Sequence, residues 1–158
     1  MPNTTRLDLP DNTRKAMVSL LNARLADAID LRLALKQAHW NVKGPNFIAL
    51  HEMFDQMQTR VNGFVDEIAE RAVTLGGQAL GTTQVVATGS KLAPYPTDIV
   101  NERAHIEALA ERVATFGKSV RQAIDAAAEA GDQDTSDLFV GVSKQMDMDL
   151  WFLEAHLH

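Results

Sequence analysis

The chain contains no cysteine, a single tyrosine, and no apolar run long enough to span a membrane. Without cysteine, neither disulfide bonds nor thiolate metal ligands are available, which is compatible with a reducing compartment. The N-terminus, MPNTTRLDLPDNTRK, lacks the apolar stretch of a signal peptide, so we expect a cytoplasmic protein. Cations are also scarce, since 15 lysines and arginines stand against 21 acids and give a net charge of −6. This balance disfavours a general polyanion binder and suits a protein that attracts cations.

The residues that are present favour helices throughout. The 158 residues are enough for one domain with its own core, and apolar residues recur at spacings of three and four between glycine and proline breaks. We predict four long helices and one short one, over residues 11–39, 47–75, 82–87, 97–131 and from 135 almost to the C-terminus. Long helices with nearly heptadic stripes pack almost parallel or antiparallel. The predicted fold is therefore an all-α four-helix bundle over residues 11–158, preceded by a short N-terminal tail, residues 1–10.

The second long helix carries a polar face as well as an apolar one. At ~100° per residue, His51, Asp55, Asp66 and Glu70 all fall within about 100° of one another around the helix axis. The apolar stripe lies on a different side, so this face points away from the bundle core. Imidazole and carboxylate groups on one face are what a metal site of nitrogen and oxygen ligands requires.

The four side chains on this face cannot bind one ion within a single chain. Asp55 and Asp66 are eleven residues apart, about 16 Å along the helix axis, whereas metal ligands lie about 2 Å from the ion. If two copies of the helix cross antiparallel about a two-fold axis, His51 faces Glu70 and Asp55 faces Asp66 for the same axis position, between residues 60 and 61. Gly63 lies near that crossing, where a missing side chain lets two backbones approach. The spacing thus predicts two equivalent sites in an isologous dimer.

A second interpretation of this face stays open. Acids and a histidine on the polar face of an amphipathic helix also arise from simple solvation, and we interpret Glu52 and Glu67 as solvated. Two other groups of ligand-type residues are interpreted as surface features. Glu102 and His105 form a lone Glu-x-x-His pattern without a second copy, and Asp132, Asp134 and Asp137 are interpreted as solvated charges at a helix start.

Several segments carry motifs that occur together in one known family. They are KQAHWNVKGPNFIALHEMFD, DEIAERAVTLGGQALGTTQ, YPTDI and LWFLEAH, and they include H-W-N-x-x-G, H-E-x-x-D and D-x-x-A-E-R. From about residue 12 to its end, the chain resembles the Dps family (DNA-binding proteins from starved cells) of the ferritin-like superfamily. The resemblance implies a four-helix bundle with a short helix between the second and third long helices. It also implies a hollow shell of twelve subunits that oxidises and stores iron.

The resemblance also implies a set of five iron ligands at matching positions. His39, His51 and Asp55 would come from one subunit, and Asp66 and Glu70 from its two-fold partner. Each such intersubunit site would take two iron ions as ferroxidase substrate, with hydrogen peroxide as the family's usual oxidant and ferric oxyhydroxide as the stored product. His39 is assigned by the resemblance alone, since the helix geometry reaches only the other four.

Some consequences depend on the type of ligand and on the neighbours. Zn(II) ranks above Fe(II) in affinity for nitrogen and oxygen ligands, so zinc is expected to compete at this site. Lys36, one turn before His39, and the adjacent Trp40 are candidates for contacts that orient the ligands, or else for packing and a surface ion pair.

DNA binding, which the family name suggests, has little support in the sequence. Before the first helix the only cation is Arg6, whereas the best-known members use a lysine-rich tail to neutralise phosphates. A shell of anionic subunits would repel DNA unless divalent cations bridged the two. The alternative of a structural nucleoid protein that condenses DNA therefore stands second to an iron-oxidising cage.

Overall fold

The computed structural model describes residues 3–158 and contains five helices. They are α1 (Asp11–Asn41), α2 (Phe47–Thr74), α3 (Thr83–Gly89), α4 (Glu102–Glu129) and α5 (Gln133–Glu154). The pairs α1–α2 and α4–α5 pack along their lengths as two hairpins, and α1 against α4 and α2 against α5 close the bundle. Within residues 3–158 there is no strand beyond one isolated bridge between Lys43 and Asn101. The predicted all-α bundle with a short extra helix is confirmed, and residues 1 and 2 of the predicted tail lie outside the described residues.

The core lies between the apolar stripes of the four long helices. Its largest fully buried side chains are Phe54, Phe116 and Phe139, one from each of α2, α4 and α5. The stripe predicted for α2 is buried from Leu50 to Val61 and again at Ile68, whereas Phe64 is partly buried and Phe47 at the helix start remains 38% exposed. Burial of large apolar side chains at this spacing fixes how each long helix is rotated about its own axis. The polar face of α2 is consequently directed outward.

The connection after α2 is fastened to α1 by side chains that reach backbone groups. Asn22 accepts from the N–H of Leu80 and donates to the carbonyl of Gln78, both at 2.9 Å. Asp27, which is 1% exposed, accepts from the N–H of Lys91 at 2.8 Å. These contacts satisfy polar groups of an irregular segment that lacks ladder hydrogen bonds of its own. The long connection is therefore an ordered part of the subunit.

The start of α4 differs from the prediction. The helix begins at Glu102, with Asn101 as its N-cap, and not near Thr97. The Asn101 side chain accepts from the N–H of Ala104 at 2.9 Å, which satisfies one of the free donors of the first turn. Asn101 itself is extended, and the carbonyl of Val100 before it accepts from the N–H of Lys43 at 3.0 Å. Because of this contact with the α1–α2 turn, α4 begins later in the sequence than predicted.

Two predictions of surface residues were wrong. Asp132 is 2% exposed and is the N-cap of α5, where it accepts from the N–H of Thr135 at 3.0 Å and from Arg71 of α2 at 2.7 Å. His105 is 1% exposed, and its Nδ1 lies 2.7 Å from the hydroxyl of Tyr95. Each residue has a hydrogen-bond partner outside its own helix, which lowers the cost of burying it, although Nε2 of His105 is buried without a partner in residues 3–158. Asp134 and Asp137 are exposed, as predicted.

The described N-terminal residues lie along the end of the bundle. The Leu9 carbonyl accepts from Arg14 Nε at 3.2 Å, and Arg14 also donates to the Leu75 carbonyl at the end of α2. Asn3 donates its N–H to the Gly76 carbonyl at 3.4 Å. This segment is thus held against the turn that follows α2. Of the helices in residues 3–158, none has the length and apolar character needed to cross a membrane.

Candidate metal centre

Two histidines face each other across the turn between α1 and α2. His39 lies in the last turn of α1 and His51 in the second turn of α2. Their rings are stacked, with centroids 3.7 Å apart and planes inclined by 20°. Both side chains are half-buried. The chain therefore brings together two residues that are twelve positions apart in sequence.

Each histidine is held by the backbone of the other. The Nδ1 atom of His39 lies 2.7 Å from the His51 carbonyl oxygen, and Nδ1 of His51 lies 2.7 Å from the His39 carbonyl oxygen. A carbonyl oxygen only accepts, so Nδ1 must carry the proton in both rings. In a neutral imidazole this leaves a lone pair on Nε2, the state in which histidine binds a metal ion. The reciprocal contacts thus leave Nε2 of both rings available to a metal ion.

Asp55 lies one turn after His51 and shares its groove. The groove encloses about 790 Å³ and is lined by His39, Ile48, His51, Glu52, Asp55, Gln56, Thr59 and Arg60. The Lys36 ammonium lies 2.5 Å from Asp55 Oδ1. Its hydrogen bond and its charge, with a smaller contribution from the two imidazoles, hold the pKa of Asp55 below the ordinary value. The carboxylate is therefore ionised at neutral pH, and a cation can bind its second oxygen or replace Lys36 at Oδ1.

The other two predicted ligands are not part of this groove. Asp66 and Glu70 are exposed and lie farther along α2. Within residues 3–158 no group of three or more histidine, aspartate or glutamate side chains is close enough to hold a metal ion. One chain thus brings His39, His51 and Asp55 together in one groove and leaves Asp66 and Glu70 apart from them. Around Gly63, between the two groups, an added Cβ would meet nothing within 4 Å.

The residues next to the groove differ in their contacts. Lys36 pairs with a predicted ligand, whereas Trp40 is 66% exposed. Arg60, which helix periodicity did not indicate, lines the groove and pairs with Asp149 of α5 at 2.6 Å. The signal for Arg60 lies in α5, where Asp149 interrupts an apolar stripe. A buried acid in such a position needs a cationic partner from a facing helix.

Comparison with known proteins finds relatives that agree with one another in family and fold. The ferritin-like domain family matches residues 18–158. The DNA protection during starvation protein of Agrobacterium fabrum (strain C58) is 49% identical over 153 residues, which is 97% of this chain and 94% of that protein. The tetragonal form of Mycobacterium smegmatis Dps superposes with a TM-score of 0.95 at 33% identity, covering 100% of this chain and 95% of that chain.

A second solved structure with a similar fold is described as a ferritin-like diiron-carboxylate protein. Dps from Vibrio cholerae O1, titled a member of a broad superfamily of ferritin-like diiron-carboxylate proteins, has a TM-score of 0.92 at 25% identity. It covers 100% of this chain and 98% of that chain. The fold and these relatives agree with the family that the motifs predicted. The chain belongs to the Dps family of ferritin-like proteins.

Proposed function

We propose that this protein is an iron-sequestering ferroxidase. It oxidises Fe(II), preferably with hydrogen peroxide, at sites between two-fold-related subunits, and stores the ferric product inside a shell of twelve copies. The observation that carries the proposal is the histidine pair, whose Nδ1 atoms are both engaged by backbone carbonyls beside the ionised Asp55. Two imidazoles and a carboxylate are a donor set that suits Fe(II) and leaves coordination positions for an oxidant.

The second half of each site is contributed by the partner subunit in this proposal. Asp66 and Glu70 are exposed on the same helix as His51 and Asp55, about 16 Å away along the axis for the pair Asp55 and Asp66. An antiparallel crossing of two α2 helices near residues 60 and 61 brings each exposed pair to the partner's groove. The open space at Gly63 supports a close approach of the two backbones there.

The substrates define what the residues must do. Two Fe(II) ions supply one electron each to a peroxide molecule, whose O–O bond breaks and whose oxygens take up protons. His39 and His51 present unprotonated Nε2 atoms to the metal, and the carboxylates offset its charge. Lys36 lowers the pKa of Asp55 and competes with a cation for Oδ1. Consumption of Fe(II) and peroxide together removes both reagents that generate hydroxyl radicals.

DNA binding is the second candidate, because the Agrobacterium fabrum relative is named for DNA protection. Arg6 is the only cation in residues 3–10, and this segment is held on the subunit through Leu9 and Arg14. A net charge of −6 on every subunit opposes contact with phosphates. We therefore propose that a cytoplasmic cage protects DNA by removing iron and peroxide. A gel-shift titration at low and at physiological salt tests direct binding.

Peroxide-driven iron oxidation tests the proposed function directly. Anaerobic Fe(II) is titrated into the assembled protein and a hydrogen peroxide pulse follows, for the wild type and for Asp66→Ala/Glu70→Ala. We expect fast oxidation of about two Fe(II) per peroxide in the wild type and its loss in the double variant, with the shell still assembled. Glu67→Ala/Glu129→Ala removes the same charge from exposed positions and should oxidise iron normally. Equal rates in all three proteins would reject the interface site.

A further inference from the structure

The turn between α1 and α2 is held from outside by the start of α4. The carboxylate of Glu102 accepts two hydrogen bonds from Asn46, with Oε1 2.5 Å from the backbone nitrogen and Oε2 3.1 Å from Nδ2 of the side chain. The adjacent Val100 carbonyl accepts from the N–H of Lys43 at 3.0 Å. Both ends of the turn are thus attached to residues that follow more than fifty positions later in the chain.

Because Gly44 has no side chain, Glu102 can pack directly against the α1–α2 turn. A Cβ atom added at Gly44 would lie 2.6 Å from both Cγ and Oε1 of Glu102, nearer than side-chain atoms come in folded proteins. The Glu102 side chain therefore occupies the space above the Gly44 backbone. A larger residue at position 44 would push the carboxylate away from Asn46.

The hydrogen bond between Lys43 and Val100 also determines which group donates to the His39 carbonyl. If α1 continued, the N–H of Lys43 would donate to the carbonyl four residues earlier, which belongs to His39. Instead it donates to Val100, and α1 ends at Asn41. The His39 carbonyl is consequently free to accept from Nδ1 of His51. The hydrogen bond that fixes the His51 tautomer thus depends on a contact with the segment before α4.

We infer that Glu102 is a positioning residue for the histidine pair. By binding both donors of Asn46 and packing over Gly44, it holds the α1–α2 turn in the shape that lets the His39 and His51 rings donate to each other's carbonyls. Glu102 does not touch the metal-binding atoms and acts through the turn. The inference rests on the proposed function, because the orientation of the ring nitrogens matters for activity only when they bind Fe(II).

The test is made first without metal. The assembled apoprotein, labelled with ¹⁵N only in its histidine rings, is examined by solid-state NMR at a pH where imidazole is neutral. His39→Gln and His51→Gln assign the two signals. In the wild type we expect both rings to carry their proton on Nδ1. In Glu102→Ala we expect each ring to show a mixture of both tautomers, because the turn is no longer held.

Metal affinity provides the second measurement. Calorimetric titration with Zn(II) should give about tenfold weaker binding for Glu102→Ala, the lower end of the loss seen when a contact that orients a ligand is removed. Glu102→Gln keeps an acceptor for the Asn46 N–H and should recover most of the affinity and of the wild-type tautomers. Glu107→Ala, which removes an exposed acid of the same helix, is the control and should match the wild type.

A substitution at Gly44, on the other side of the contact, provides a second test in case Glu102→Ala does not fold. Gly44→Ala should disturb the same tautomers in the wild type, both by displacing Glu102 and by straining the backbone, since Gly44 has a φ of +157°. Its additional effect in Glu102→Ala should be smaller, because the group that it displaces is already gone. Wild-type tautomers and Zn(II) affinity in both Glu102→Ala and Gly44→Ala would overturn the inference. A wild type that shows the Nδ1 tautomers but fails to oxidise Fe(II) would reject the proposed function and leave the role of Glu102 standing.

Discussion

Arg60 of α2 and Asp149 of α5 form an ion pair that joins the candidate metal groove to the interior of the bundle. Arg60 Nη2 lies 2.6 Å from Asp149 Oδ1, which also accepts from Gln145 Nε2 at 2.9 Å. The Asp149 side chain is 1% exposed, whereas that of Arg60 is 31% exposed and lines the groove. Burial raises the pKa of Asp149, and the hydrogen bond and charge of Arg60 act in the opposite direction.

Removal of Arg60 should destabilise the subunit in a pH-dependent way. Because Arg60→Ala leaves a buried carboxylate without its cation, we expect the variant to lose about 1–3 kcal/mol of unfolding free energy at pH 7. Loss of Arg60 raises the pKa of Asp149 further. Acidification through that pKa protonates Asp149, which then no longer needs Arg60, so the deficit should shrink as the pH falls.

Urea unfolding at pH 7 and pH 5, at one fixed subunit concentration, measures this effect. Arg121→Ala is the control, since Arg121 and Asp147 form an ion pair in which both side chains are more than half exposed. That variant should unfold at the wild-type midpoint, because exposed pairs contribute little. A deficit in Arg60→Ala that is the same at both pH values would contradict the role given to Asp149.

The N-cap of α5 should matter far more than the acid two residues after it. Asp132 accepts from Thr135 and from Arg71 of α2, so Asp132→Ala removes a helix cap and the close ion pair of Arg71, whose other acid, Asp134, lies 4.0 Å away. We expect a loss of about 2–3 kcal/mol in unfolding free energy. Asp134 is 87% exposed, and Asp134→Ala should have little effect. The two variants have the same change in charge, so equal midpoints in urea would show that charge alone matters.

Mixed shells test whether each site is shared between two chains. One variant, His51→Ala/Asp55→Ala, lacks one half of every site, and Asp66→Ala/Glu70→Ala lacks the other half. Alone, neither should oxidise Fe(II) with peroxide. If the two chains assemble at random, half of the dimers contain one of each, and each such dimer rebuilds one intact site, or about a quarter of all sites. Co-expression and a stopped-flow oxidation assay measure the recovery.

A site contained within one chain would behave differently in the mixed shells. Each variant would then keep its own activity or its own defect, and mixing would produce the average of the two. Activity above that average is the result expected from sharing. The control is a mixture of two shell preparations, each refolded from one variant alone, which corrects for the effects of handling.

Zinc should inhibit the oxidation by occupying the same ligands. Zn(II) ranks above Fe(II) in affinity for sites of imidazole and carboxylate, and it cannot supply an electron. One or two Zn(II) per subunit, added before Fe(II), should therefore suppress the peroxide-driven reaction, and a chelator that removes zinc should restore it. Unchanged oxidation with stoichiometric zinc bound would mean that iron reacts elsewhere.

The sequence predicted the features that depend on one helix alone. The outward face of α2 follows from the 100° step, because the burial of Leu50 and Ile68 fixes how the helix is rotated. The bounds of α1 and α2 were predicted within two residues, since the Gly44 and Gly76 breaks are local. The position of His39 beside His51 was not accessible in this way. It depends on how the chain turns at residues 42–46, which helix periodicity does not describe.

The errors have a common physical cause. The start of α4 was predicted near Thr97 because Thr97 followed by Asp98 has the local chemistry of a helix start. The bond between Lys43 and Val100 instead keeps the residues just before Glu102 out of the helix. Asp132 was predicted to be solvated because its neighbours in sequence are acids, yet Arg71 from α2 makes its burial favourable. In both cases a partner far away in sequence outweighs a local preference.

The contacts of residues 100–102 with the α1–α2 turn have a consequence for biosynthesis. All five candidate ligands lie between residues 39 and 70 and leave the ribosome early, together with both helices that carry them. The backbone of Val100 and the carboxylate of Glu102 emerge later. A nascent or truncated chain that ends before residue 100 therefore contains every ligand but lacks the contacts that hold the turn. If Glu102 positions the histidines as we infer, the two rings become ordered only after the chain has been synthesised past residue 102.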